Sequence, residues 1–352
     1  MPRSKKKKSR SKKGSRSKKG SKSKKKSGSK KGSGSKKVAP GGKGRKPGTA
    51  KRPAESIPQL PPLGSMESMM AKIGRHLEEK DFESDEEAQA FLDDIVKSGG
   101  IIPDIEPTTP IDRAQDLIYD AWQKPGREKV KLARQALEVC PDCADAYVIL
   151  AEEAADSPTK ALALYSEAVE AGERALDPSY FEEDVGHFWG IFETRPYMRA
   201  RLGLAIVLWK LGMHQEAVSH LREMLRLNPG DNQGIRYILA ARLLMMNRDE
   251  ELGELLDSYS DEPTACWSYT RALLSFRREG DTGTSRRLLE EALDCNPHVP
   301  DYFLGKKELP DEPLDAMMFG GETEAIDYAF NFLPGWRLTS RALDWLEDVA
   351  EQ

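Results

Sequence analysis

A 34-residue interval runs through the second half of the chain and constrains its fold more than any other feature. Pro229, Pro263 and Pro297 are 34 residues apart, Leu221, Leu255 and Leu289 keep the same spacing, and Gly212 and Gly280 stand two intervals apart. Between these marks the apolar residues recur at helical spacing. Thirty-four residues per helix-turn-helix unit is the tetratricopeptide period. The physical reasons can be read position by position. Glycine frees the tight turn between the two helices of a unit. Ala217, five residues after Gly212, lets the helices approach. Proline stops the second helix before the next unit begins. A single pair cannot cover its own apolar face, so stacked pairs are the stable object.

The interval places units at 198–231, 232–265 and 266–299. An earlier unit is expected at 144–178, with Tyr147, Leu150 and Ala151 at first-helix positions, and a degenerate one near 111–141. Closing helices are predicted near 322–333 and 336–349, where they would cap the exposed end of the stack. Between Pro178 and Pro196 lies an insert rich in aromatics: Tyr180, Phe181, Phe188, Trp189 and Phe192. The expected fold class is therefore all-α, a tetratricopeptide-like solenoid over 111–352.

The first 52 residues are a different object. They hold 24 of the chain's 54 Lys and Arg and no acid, which leaves 30 bases against 58 acids and a net charge of −28 in the remainder. Ser-Lys-Lys-Gly units offer nothing to bury, and like charges repel, so residues 1–62 read as a disordered basic tail and linker. A helical hairpin is expected at 65–98. Its first helix would set Met66, Met69, Met70, Ile73 and Leu77 on one face, and Ser84 with Glu87 would cap its second. Prolines from Pro103 to Pro110 mark a further linker.

Three segments carry a resemblance to a known family. They are Asp142 to Glu153 (DCADAYVILAEE), Asn296 to Tyr302 (NPHVPDY) and Gly321 to Phe330 (GETEAIDYAF), with Leu211 to Val218 (LGMHQEAV) between them in matching order. From about 140 to 349 the chain resembles the suppressor of tumorigenicity seven family. That resemblance implies a tetratricopeptide-like body. The family's animal members look like membrane proteins, whereas this chain has no apolar run near the roughly 20 residues a bilayer requires. It is more similar to soluble bacterial relatives, and a cytoplasmic location is expected. The family offers no catalytic residues to carry over.

The residues themselves announce no catalytic centre. No phosphate-binding loop, nucleophile elbow or dinucleotide fingerprint is present. Cys140-Pro141-Asp142-Cys143 could be a redox pair or half a zinc site. The first needs a βαβ context and the second needs two more ligands. The simpler reading has Cys140 closing one helix and Cys143 opening the next. Neither cofactor nor metal is expected, and the chain reads as a non-enzyme.

Two binding surfaces are predicted instead. The inner groove of the stack would be lined by first-helix residues including Arg199, Trp209, Lys210, Gln233, Arg236, Trp267, Arg277 and Arg278. These would suit a protein or peptide carrying carboxylates, which Arg grips in bidentate fashion. The tail, with Lys5, Lys6, Lys7, Lys8, Lys24, Lys25 and Lys26 among its cations, is expected to bind a polyanion such as nucleic acid in a salt-dependent way.

Overall fold

Helices α3 to α6 and α8 to α13 form five consecutive pairs. In chain order these are α3 (Pro110–Trp122) with α4 (Gly126–Val139), α5 (Ala144–Glu153) with α6 (Pro158–Ala175), α8 (Arg195–Lys210) with α9 (His214–Leu227), α10 (Ile235–Met245) with α11 (Asp249–Ser258), and α12 (Ala265–Glu279) with α13 (Gly283–Cys295). The second helix of each pair packs on the first helix of the next: α4 on α5, α6 on α8, α9 on α10 and α11 on α12. The computed structural model describes residues 63–80, 82, 84–98, 102, 106–312, 314 and 316–352, so the basic tail lies outside the described residues. Among the described residues there is no strand.

The repeat positions do local work. Gly212 and Gly280 close the first helices of their pairs with φ of 81° and 74°, in the left-handed region that a Cβ disfavours. In the intervening pair Asn247 takes that role with φ 54°. Leu221, Leu255 and Leu289 all lie in the core. Two pairs approach closely at Gly203 of α8, where a Cβ would come within 2.0 Å of the Tyr165 ring on α6. The cysteines sit at a helix junction: Cys140 caps the end of α4 and Cys143 the start of α5. Burial pushes the Cys143 thiol up to about 12.

The ends of the stack are finished differently. Helix α14 (Val299–Phe303) leads through an exposed segment containing Met317, Met318 and Phe319 to α15 (Glu322–Arg337) and α16 (Ala342–Ala350). The helix expected to stop before Pro334 continues through it. The break falls instead at Leu338–Arg341, where Arg341 takes φ 62°. Helix α16 packs on α13 as an end cap. Helix α15 turns back and packs on both α10 and α12, the first helices of the preceding two pairs. A Cβ at Gly335 would lie 2.5 Å from Leu244 of α10, so the absence of a side chain there lets the two helices touch. The carboxylate of Glu324, 3 % exposed, accepts hydrogen bonds from the Ala265 amide (2.9 Å), Asn296 Nδ2 (2.9 Å) and the Gly320 amide (2.7 Å). It thereby ties the start of α15 to the start of α12.

Upstream, α1 (Leu63–Glu79) and α2 (Asp85–Lys97) form a hairpin in which His76 meets the Phe91 ring at 5.5 Å. Ser84 caps α2 by accepting the Glu87 amide. Helix α1 lies against α3.

Candidate interaction surface

Helix α8 carries Arg199, Leu202, Ile206 and Trp209 at three- and four-residue spacing, so one stripe of its surface holds all four. At the start of that stripe Arg199 is enclosed. Its guanidinium donates to both Asp145 oxygens (2.8 and 2.6 Å) and to both Glu67 oxygens (3.0 Å each), and it lies over the Trp122 ring at 4.9 Å. Burial alone would lower this guanidinium, but Asp145 and Glu67 hold it above its ordinary value. Glu67, 2 % exposed, comes from α1 and also accepts from Arg195 at 3.2 Å. The aromatic insert holds Arg195 in place. The insert folds as α7 (Tyr180–Glu183) and a short turn at Phe188–Gly190. Arg195 lies over the Phe192 and Trp189 rings at 4.0 and 5.2 Å and donates to the Trp189 carbonyl at 2.9 Å.

Away from Glu67 the stripe opens. Leu202 is half-buried, Ile206 is 36 % exposed and Lys210 is exposed. Trp209 stacks on the His214 imidazole at 4.1 Å, and Arg242 of α10 lies over its indole at 4.6 Å. Arg242, like Arg201, differs from the enclosed arginines that grip an acid. Arg75, Arg199, Arg236 and Arg277 each hold a carboxylate. Arg242 holds none among the described residues, and burial with nothing to offset it pulls its guanidinium below its ordinary value. A cation kept desolvated without an anion is a cost that an incoming anion would relieve.

The remaining predicted groove residues are placed elsewhere. Trp267 is 1 % exposed and donates to the Leu256 carbonyl (3.3 Å), so it belongs to the core. Arg277 is enclosed by α15, reaching Thr339 Oγ1 (2.8 Å), the Gly335 carbonyl (3.3 Å) and Asp249 (2.8 Å). Arg236 is locked to Asp231 and Glu262. Arg278 turns toward α11, where it donates to the Asp249 carbonyl. Gln233 is half-buried, with its Oε1 lacking a hydrogen-bond partner. The structure thus sets Arg242 over Trp209, leaves Lys210 exposed one residue further on, and separates these from the others. Arg242 gave no signal in the sequence, whereas Asp145 could have been found as the one acid in the apolar core of Ala144–Ala151.

Comparison with known proteins places this architecture. The family model described as "ST7 protein" matches residues 107–352. The chain belongs to the ST7 family. Among its relatives, the bovine suppressor of tumorigenicity 7 protein-like is 32 % identical over 256 residues, covering 66 % of this chain and 46 % of the relative. The human protein of the same name is 31 % identical, with 66 % and 44 % covered. This ST7-family chain therefore spans less than half the length of these curated relatives. Among solved structures it is similar to YrrB, described as a TPR protein with an unusual peptide-binding site, at 16 % identity and a TM-score of 0.38, covering 53 % of this chain and 84 % of that one. No helix among the described residues is long and apolar enough to cross a membrane, and no three of their His, Cys, Asp and Glu side chains converge as metal ligands would.

Proposed function

We propose that this chain is a non-enzymatic interaction scaffold. Its helix pairs hold a protein or peptide partner, and its basic tail localises it. One observation carries this reading: Arg242 lies half-buried over Trp209, with no carboxylate among the described residues, at the open end of a stripe that runs through Leu202 and Ile206. A segment that brings an acidic side chain to Arg242 and Lys210 and an aliphatic one to Ile206 would satisfy both. The guanidinium favours a carboxylate that can take two parallel hydrogen bonds.

The test is a peptide array probed with the full-length chain and with its Arg242→Glu and Trp209→Ala variants. Acidic-aliphatic peptides should bind the unaltered chain and lose at least tenfold in affinity with either variant. Hits that ignore both substitutions would defeat the reading.

The tail supports a second activity. Twenty-four cations with no acid among 52 residues can neutralise many phosphates, so binding to duplex DNA or RNA would be blind to sequence and would fall steeply with salt. The tail has no aromatics, so stacking on single strands contributes nothing. Gel shifts comparing the full chain with a 53–352 truncation decide this. Equal binding by the two forms, or none by the full chain at low salt, removes it.

A further inference from the structure

Helix α1 meets the repeats with an unusual face. The stripe turned toward them is Glu67, Met70, Ala71, Gly74 and Arg75, at i, i+3, i+4, i+7 and i+8. Its two ends are charged. Glu67 is gripped by Arg195 and Arg199, and Arg75 forks onto Asp116 of α3 at 2.6 and 2.9 Å. Between these two clamps the helix does not fill the space beneath it. A cavity of about 200 Å³ remains, walled by Met70, Ala71 and Gly74 on one side and by Gln115, Tyr119 and Tyr197 among others on the opposite side. A Cβ added at Gly74 would touch nothing within 4 Å. Helices belonging to a core are packed to crystal-like density, with few voids larger than a water molecule. Helix α1 is instead held by two ion pairs across an underfilled bed.

The receiving side, by contrast, is built without help from α1. Asp145 fixes Arg199 from below, Trp122 supports it, and the insert's rings and the Trp189 carbonyl fix Arg195. Two guanidiniums held in place by their own neighbours make a carboxylate receptor that does not depend on which helix supplies the carboxylate.

We infer that the bed formed by α3, α5 and α8 is a docking site for an amphipathic helix of a partner protein, and that α1 occupies it in cis as a stand-in. The partner helix carries a carboxylate for Arg195 and Arg199 and a cation eight residues later for Asp116. Between them it carries apolar side chains larger than Ala71 and Gly74, which fill the cavity that α1 leaves. The charge pattern selects the partner: two guanidiniums at one end of the bed and Asp116 at the other fix both the chemistry and the direction of the helix.

This inference rests on the reading of the stack as a partner-binding surface. It is read out at Arg195 and Arg199, whereas that reading is tested at Trp209 and Arg242, so either can fail alone. The probe is a fluorescent synthetic peptide of residues 63–79, used with the full-length chain. In the unaltered chain the tethered α1 competes at an effective concentration that reaches the millimolar range for short flexible links. The free peptide should therefore bind poorly. Glu67→Arg in the chain places a third cation beside Arg195 and Arg199 and should expel α1, so the peptide binds at least tenfold more tightly. A peptide carrying Glu67→Gln should lose at least tenfold on that opened chain, and one carrying Gly74→Leu should gain. Should Glu67→Arg unfold the chain, as circular dichroism would show, Glu67→Gln in the chain gives the same reading with a smaller rise. Peptide binding unchanged by opening the chain, or equal binding of the Glu and Gln peptides, overturns the inference. So does a dimer of the unaltered chain in sedimentation velocity that Glu67→Arg dissociates, since that outcome assigns the site to a second copy.

Discussion

Removing the Glu324 carboxylate should release α15 from the repeats it lies on. Glu324 is buried and accepts three hydrogen bonds, from two backbone amides and from Asn296 Nδ2. The Asn296 amide also donates to the Gly321 carbonyl at 3.0 Å, so Glu324→Ala strips it of only one partner. Among the described residues the amides of Ala265 and Gly320 have no such second acceptor. An unsatisfied buried donor costs roughly 1–3 kcal/mol, and a hydrogen bond to a charged acceptor contributes about 1.5–3 kcal/mol. Gly320 is exposed, so water can take up its amide once the side chain is gone; one stranded amide, at Ala265, and the charged hydrogen bonds given up leave a net loss of about 3 kcal/mol. In urea, with a slope of ~3 kcal/mol/M for a chain of this size, the unfolding midpoint should fall by about 1 M. Hydrogen exchange should show the loss concentrated in 322–337, where amide exchange accelerates by roughly 10²-fold, while α3 and α4 are untouched. A loss under about 1 kcal/mol with unchanged exchange in α15 would refute the view that this carboxylate is what anchors the helix.

Leu221→Ala and Leu289→Ala should each cost about 2–5 kcal/mol, since both side chains are fully enclosed; chemical denaturation showing no loss at either would break the 34-residue register. His220 supplies a pH dependence. Burial, then the charge of Arg201, outweighs Glu223 and holds its imidazole below the ordinary 6.5. Between that depressed value and 6.5 the unfolded chain binds the proton and the folded chain does not, so stability present above pH 6.5 is lost as the pH falls toward the folded value. The stability advantage of the unaltered chain over His220→Gln should shrink between pH 7 and 5, and parallel stability curves would exclude this residue as the cause.

How much was legible in the sequence followed from how local each determinant is. Gly212, Gly280 and the leucines 34 residues apart act within one pair or between neighbours, so their interval alone predicts stacked helix pairs. The path of α15 was not legible, because it depends on Glu324 meeting an amide 59 residues away. The interval gives no sign of such a contact, and Arg277, expected to face an open groove, is enclosed as a result, whereas Trp267 is taken into the core by Tyr237 and Tyr259. On α1 the apolar residues pointed to a face with Met66, Met69, Met70, Ile73 and Leu77; Met70 does turn inward, yet Leu77 is exposed and the inward stripe runs from Glu67 to Arg75. Periodicity assumes that a helix meets an apolar partner, and here the surface it meets carries Arg195, Arg199 and Asp116. Arg242 was invisible for the opposite reason, since one cation in a charged chain has no pattern until its missing anion can be seen.

A linear array whose units touch only their neighbours can shed its last unit and keep the others folded. The return of α15 onto α10 removes that freedom. Its contacts join the two ends of a segment nearly a hundred residues long, so the last two helix pairs and their closing helices should melt as one block rather than fray from the C-terminus. That block should also be slow to assemble, because the chain must close a long loop before the contacts that reward it can form.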